Sequence, residues 1–415
     1  MKSSVCMTVD SGMSNQPSVP GPLLDSYIHG LALPRDFYTC PQVYEADIKH
    51  FWNQNWIWVG HVSQLPDPGD FFRFDYGPES VIVARDRGGK IGAFLNVCRH
   101  RGSRVCVQQR GNARVFVCPY HAWTYELDGT LRAAREMGPQ FDRAAHGLLP
   151  VHIRVFQGLI FISTATEPRT IDPGLVALAP LTEPFGLERM KIAHQASFPV
   201  PANWKLALEN YMECYHCAPA HLEYSRSHSL KDPSAETGAL ATRMQARSQA
   251  AGLPIDVLER YSDPTEVEIY YRRYPLFDGY VTGSRSGAPL APLLGDLSGF
   301  DAGATDVQIG ILNNFLVYCD HAVGYRFIPR GLQETDIQVV WFVHEDAQVG
   351  HDCDLQDLTW LWQVTSQDDE RIIRVNQEGV NSHHFRPGPL SEMEWGIQAF
   401  YDSYLVCLRA KSDFG

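Results

Sequence analysis

Two short groups of residues, Cys98-Arg-His100 and Cys118-Pro-Tyr-His121, put the tightest constraint on how this chain can fold. Seventeen residues separate His100 from Cys118. Each group presents one thiolate and one imidazole from a tight loop at the end of a strand-like run, so the two loops must come together if the four side chains are to act as one. Two sulfurs and two nitrogens suit either a tetrahedral zinc or a two-iron cluster in which two histidines replace two cysteines on one iron. Zinc sites more often use Cys-x2-4-Cys and His-x3-5-His knuckles. One cysteine and one histidine per loop lets each iron take a matched pair, and the spacing favours the cluster.

The surrounding texture is that of a β domain. FFRFDYG from Phe71, VIVARD from Val81, IGAFLNV from Ile91, RVFVCPY from Arg114 and VHIRVFQGLIFIS from Val151 are rich in β-branched and aromatic residues. Turn signals such as RDRGG at Arg85–Gly89 and Asp128-Gly129 separate them.

A second group of chemistry-bearing residues lies in NWKLALENYMECYHCAPAH, Asn203 to His221. Trp204, Leu208, Tyr211 and Tyr215 recur at helical steps after Asn203 as N-cap, and Glu213 and His216 then share a face. Pro219 stops the helix, so His221 comes from the turn beyond and can swing back toward His216. Two imidazoles with one carboxylate are the usual ligands of non-heme Fe(II) in oxygen-using enzymes. The carboxylate is sought further on, where Leu355 to Val380 reads as one long helix ended near Gly379. Counting 100° per residue, Leu358, Trp362, Thr365, Ile372, Ile373, Asn376 and Val380 fall within about 60° of Asp369, while Asp368 lies at the edge of the stripe. A carboxylate centred on a buried face is expensive unless a cation or hydrogen bonds compensate it, and a metal is the economical compensation.

Charge and cysteine usage narrow the partners. With 35 Lys and Arg against 48 Asp and Glu the formal charge is -13, which argues against nucleic acid and anionic membrane. The longest apolar run, GLIFIS from Gly158, is strand-sized, far short of a membrane span. No secretory signal is read at the start, so the ten cysteines are expected as thiols in a reducing, cytoplasmic compartment, with Cys6, Cys40, Cys319, Cys353 and Cys407 as bystanders.

The expected organisation is a tail over residues 1–40, a β domain with a flanking helix over 41–165, a linker over 166–190 and a second domain over 191–415. The flanking helix is Pro41 to Trp58, with Val43, Ile48, Phe51 and Trp52 on one side. Residues 225–307 are rich in Gly, Ser and Pro; they read as a lid or channel wall, or as a surface insertion.

CRHRGSRVC from Cys98, CPYHAWTYELDG from Cys118, NWKLALENYMECYHCAPAH and DDERIIRVNQEG from Asp368 together resemble the large (alpha) subunits of Rieske non-heme iron oxygenases, in that family's order and from about Leu33 to the C-terminus. The resemblance implies an α+β fold: an all-β Rieske iron-sulfur domain, then an α/β catalytic domain with an antiparallel sheet packed on a long helix, of helix-grip type. It implies a 2Fe-2S cluster with Cys98 and Cys118 on one iron and His100 and His121 on the other, and mononuclear Fe(II) on His216, His221 and Asp369. Cys106 matches a frequent extra cysteine, read as packing. Glu213 matches the acid that links the iron histidine to a cluster histidine of a neighbouring subunit, within a homotrimer. No dinucleotide-binding signature is present, so electrons from NADH or NADPH must arrive through a separate flavin/iron-sulfur reductase.

Within the family the resemblance is closest to the branch that oxidises glycine betaine, stachydrine, carnitine and choline. That implies O2-dependent hydroxylation of an N-methyl group and release of formaldehyde. Cation recognition calls for aromatic faces, with Tyr211, Tyr215, Phe315, Tyr318 and Trp395 as candidates. Two other readings stay open: an aromatic-ring hydroxylating or dihydroxylating dioxygenase, and a zinc-stabilised scaffold without oxygenase activity.

Overall fold

In the computed structural model, which describes residues 19–229, 235–260 and 265–409, the chain reverses between Phe156 and Leu159 in two residues. Gln157 (φ 43°) and Gly158 (φ 83°) both take positive φ, as a type I′ hairpin turn requires, because its twist matches that of the flanking strands. His152–Phe156 and Leu159–Ser163 pair across the turn, and Ile57–His61 joins the free edge of Leu159–Ser163. A four-stranded antiparallel sheet runs Ile91–Leu95, Glu79–Arg85, Asp70–Tyr76, Arg110–Asn112. Val81, Ile82, Val83 and Ala84 are all fully buried in it, which is why they read as an unbroken apolar run. Phe116–Val117, Thr124–Tyr125 and Leu131–Ala133 form a third small sheet. Ile82, Phe94, Phe116, Trp123 and Tyr125 share one core with Cys98 and Cys118.

These strands make one unit, Trp56–Pro168; the described residues before Trp56 and from Arg169 onward make the other. The second unit is built on a seven-stranded antiparallel sheet ordered Met190–Val200, Glu334–His344, Ala322–Gly331, Asn314–Val317, Gly303–Ile309, Ile269–Pro275, Leu258–Arg260. The helix Leu355–Val380, capped by the Asp354 carboxylate on the Gln356 and Asp357 amides, lies against Met190–Val200 and Glu334–His344. Its buried side chains include Leu358, Trp362, Ser366, Ile373, Gln377 and Val380; Asn376, expected in the stripe, is exposed. No described helix is long and apolar enough to cross a membrane.

The domain boundaries differ from those expected. Pro41–Ala46 is α-helical, Asp47–Phe51 widens into a π turn, Trp52–Gln54 tightens to 3-10, and the chain is a strand by Ile57. Up to Asn55 this segment belongs to the second unit, not to the β unit, which begins at Trp56. Phe51 stacks on Trp204, centroids 5.4 Å apart, and meets Tyr404 edge-on at 5.4 Å. Asp47 and Lys205 form an ion pair with no exposed side-chain surface, and the Trp204 Nε1–H donates to Asp47 at 3.1 Å. Removing one partner of such a pair strands the other, at about 3–5 kcal/mol.

The described part of the expected tail also belongs to this unit: Val19, Leu23, Leu24, Leu33, Phe37 and Tyr38 are buried, while residues 1–18 lie outside the described residues. In the expected linker, Asp172–Thr182 is a helix. The region 225–307 holds a helix, Ala235–Ala251, and the strands Leu258–Arg260 and Ile269–Pro275. That helix escaped the periodicity reading because its buried stripe is narrow: Leu240, Met244, Ser248 and Ala251.

Candidate metal centres and the adjoining cavity

The two Cys/His loops of the β unit close in the same way. The Cys98 N–H donates to the Ser103 carbonyl and the Cys118 N–H to the Trp123 carbonyl, both at 2.8 Å. The Gly102 N–H donates to Cys98 and the Ala122 N–H to Cys118, both at 3.0 Å. At this same step both residues adopt positive φ, 76° and 58°. Alanine there costs on the order of 1–2 kcal/mol, a strain sustained where the surroundings over-determine the backbone. Each loop thus turns its thiol inward and its imidazole outward: Cys98 and Cys118 are buried, His100 and His121 exposed.

The imidazole rings stand 4.6 Å apart, His100 stacked on Trp123 and His121 on Tyr120. The Tyr125 hydroxyl lies 3.3 Å from the Cys98 sulfur. Asn96 ties down the chain that follows Cys98: its side-chain oxygen accepts the Val105 and Cys106 N–H groups and its amide donates to the Cys106 carbonyl. Cys106 is buried beside that tie. A thiol pair and an imidazole pair on two like loops fit a two-iron cluster.

In the second unit the helix that begins at Trp204, with the Asn203 side chain accepting the Lys205 N–H, ends at Tyr211, four residues short of Tyr215. Three features account for the break. The Glu213 carboxylate accepts the N–H groups of Tyr215 and His216, in competition with helical bonding. A disulfide joins Cys214 to Cys217, against the expectation of thiols throughout. Gly396 of the helix Trp395–Arg409 sits so close to the Met212 carbonyl that a Cβ there would collide with it. Pro219, expected to stop the helix, lies within a separate short turn, Cys217–Ala220, and His221 follows it.

His216, His221 and Asp369 offer one ligand atom each, all within 4.8 Å of one another. The two Nε2 atoms are 3.0 Å apart, and the Asp369 Oδ1 is 2.9 Å from His221 and 3.5 Å from His216. Two imidazole lone pairs and a carboxylate cannot face one another at that range without a proton or a cation between them. Burial alone would lower the His216 pKa, but Asp369 and Glu213 outweigh it and push it up to about 9. The set prefers positive charge at its centre, and its donors fit Fe(II). The Glu213 carboxylate lies 2.6 Å from His216 Nδ1, the ring nitrogen that faces away from the other two ligands. Asp368 stands aside, 3.6 Å from His221 Nδ1.

This group opens into a cavity of about 580 Å³. Of the five aromatic candidates, Tyr211 and Trp395 line it. Tyr215 is 59% exposed and does not. Phe315 is buried away from the lining, opposite Val307 and Gly324 in the sheet. Tyr318 is enclosed elsewhere, its hydroxyl 2.6 Å from His228 Nε2 and its ring stacked on His321. The sequence reading missed Tyr224, Tyr270, Tyr274, Tyr325, Asp306 and Arg272 as cavity residues. A signal was present for three of them: alternation in Ile269–Pro275 puts Tyr270, Arg272 and Tyr274 on one face.

Residues 55–156 match the family described as Rieske 2Fe-2S domain, and residues 187–271 and 313–410 match the ring hydroxylating alpha subunit catalytic domain. The chain is 36% identical, over 92% of its length and 87% of the relative's, to the glycine betaine monooxygenase oxygenase subunit of Chromohalobacter salexigens. Among solved structures, a quaternary ammonium Rieske monooxygenase superposes with a TM-score of 0.70 at 22% identity, covering 94% of this chain and 98% of that one. Naphthalene 1,2-dioxygenase from Rhodococcus superposes with 0.68 at 19% identity, covering 92% and 95%. The fold is therefore shared by both, and does not separate an ammonium substrate from an aromatic one.

Proposed function

The chain belongs to the Rieske non-heme iron oxygenases, and from that premise we propose that it hydroxylates an N-methyl carbon of a betaine-like quaternary ammonium compound. It is the oxygenase component of a multicomponent system that takes electrons from a separate reductase, and it carries a Rieske 2Fe-2S cluster and a mononuclear iron. When bound, the cluster passes single electrons and the iron activates O2 beside the substrate. In this reading Cys98, Cys118, His100 and His121 hold the cluster, and His216, His221 and Asp369 the iron.

The chain's own residues supply orientation and enclosure. Glu213 accepts the His216 Nδ1–H, which leaves Nε2 as the ligand atom and fixes the ring's direction. In a homotrimer the same carboxylate faces a cluster histidine of the neighbouring subunit and completes an electron path. The buried walls of Tyr224, Tyr325 and Trp362 exclude water from the reacting carbon. The hydroxylated product, a carbinolamine, breaks its C–N bond to give formaldehyde and the demethylated amine. One oxygen atom ends in formaldehyde and the other in water, with two electrons from NADH or NADPH through a flavin/iron-sulfur reductase in the cytoplasm.

The observation that carries this reading is a three-ligand group opening into an aromatic-walled cavity, in a chain 36% identical to a glycine betaine monooxygenase subunit. The test is turnover with a reductase and NADH on glycine betaine, carnitine, stachydrine and choline. Formaldehyde release matching oxygen uptake is expected for at least one of them. Oxygen uptake without formaldehyde from any of the four, together with diol formation from an aromatic substrate, would refute it.

A further inference from the structure

We infer that Asp306 is the counter-ion of the substrate's ammonium group, a specificity-determining carboxylate in the cavity wall; the inference rests on the proposed betaine-type substrate and adds the residue that recognises its charge. Asp306 lies mid-strand in Gly303–Ile309, on the sheet face that also presents Tyr270, Arg272, Tyr274 and Leu316 to the cavity. Among the described residues, no hydrogen bond or ion pair reaches its carboxylate. Burial alone pushes the carboxyl up to about 7.

The neighbour best placed to neutralise it does not. Arg272 is the direct cross-strand partner of Asp306, yet no ion pair joins them; the guanidinium is exposed and hydrogen-bonds Tyr270. The groups that do feel the Asp306 charge are tyrosines 211, 224, 270 and 274, all lining the same cavity. An unpaired carboxylate among aromatic rings disfavours its own ionised form until a cation arrives. A methylated ammonium suits that site better than a metal ion or a primary amine, since it donates no hydrogen bond and is held by ring faces and net charge. A betaine also carries a carboxylate, and Arg272, more exposed on the same face, complements it. The zwitterion then lies across the strand pair, with its ammonium at Asp306 and its carboxylate toward Arg272.

The experiment compares ligands that carry the ammonium cation with isosteres in which carbon replaces the quaternary nitrogen, so that each pair differs by that one positive charge: glycine betaine against 3,3-dimethylbutanoate, and choline against 3,3-dimethylbutanol. Calorimetric affinities are measured on wild type, Asp306→Asn and Asp306→Glu, each loaded with both metals. Wild type should prefer both cations. Asp306→Asn should lose about tenfold or more in cation affinity with the isosteres within about twofold, and Asp306→Glu should recover part of the loss. Because the wild-type carboxylate is unpaired, Asp306→Asn should melt at or above the wild-type temperature. A preference for cations that survives in Asp306→Asn, an equal loss of cations and isosteres, or a melting point several degrees lower would each overturn the assignment while leaving the proposed function standing. Wild-type protein that shows no preference for either cation would overturn both.

Discussion

The two candidate metal centres are built on opposite plans. In the β unit, four donors come from two loops that share a backbone closure, with the sulfurs buried and the imidazoles turned out to solvent. In the other unit, three donors come from two stretches, the histidines that flank the turn Cys217–Ala220 and Asp369 of the helix Leu355–Val380, with His221 2% exposed and Asp369 15%. The difference matches the demands on each. A centre that exchanges electrons needs a face that a partner can approach, and loops shaped by main-chain hydrogen bonds keep that face without burying it. A centre that works on a substrate needs water kept out, and so it sits where a helix face meets a sheet.

The largest expected effect comes from deleting one ligand of each kind. Cys118→Ser should bleach the cluster and lose acid-labile sulfide. His221→Ala should keep colour and sulfide and lose the mononuclear iron. Both should depress formaldehyde release beyond the roughly 100-fold that changes behind a ligand can cause. Loss of sulfide in His221→Ala would show that the two centres are not independently built.

Glu213→Ala is expected to keep both metals, by iron and sulfide count, and to slow turnover by about 10–100-fold, because the His216 ring loses the acceptor that aims it. Full activity would remove Glu213 from the scheme, and missing iron would make it a structural support of the site.

The smallest effect is a titration that the buried plan incurs. Glu209, buried between the Tyr38 and Tyr401 hydroxyls and flanked by Lys205 and Glu394, has its carboxyl pushed up to about 8, chiefly by burial. An unfolded glutamate releases its proton near pH 4.3. Between about pH 4.5 and 8 the folded protein therefore holds a proton that the unfolded chain has lost, and stability falls as pH rises through that window. Melting temperatures from pH 6 to 8.5 should drop less steeply in Glu209→Gln than in wild type. Parallel curves would mean that the acid is already ionised in the fold.

Much of each centre was legible because its residues are chemically unusual for their positions. Cysteine-histidine pairs on short loops have few other uses, and Asp369 stands out from the apolar stripe of a helix whose bounds, Leu355 to Val380, follow from its period. The cavity wall was far less legible. Asp306, Tyr270 and Tyr274 belong to strands whose alternation says which residues share a face but not which face meets the cavity. Tyr215, Phe315 and Tyr318 were attractive only as aromatic faces for a cation, and solvent, the reverse face of the sheet and a histidine pair claim them instead. The early end of the helix at Tyr211 was hidden for another reason: it follows from a side chain capturing main-chain donors and from a covalent cross-link, neither of which leaves a periodic trace.

The pairing of Asp47 with Lys205 reaches beyond local packing. It makes the described stretch before Trp56 a component of the body formed from Arg169 onward, so the β unit is spliced into a polypeptide that leaves that body at one joint and re-enters it at another. Exchanging the iron-sulfur cassette between relatives therefore means cutting twice, near Asn55 and near Pro168. A deletion that trims everything ahead of Trp56 takes away a wall rather than a leader, and Lys205, Trp204 and Glu209 each lose a partner with it.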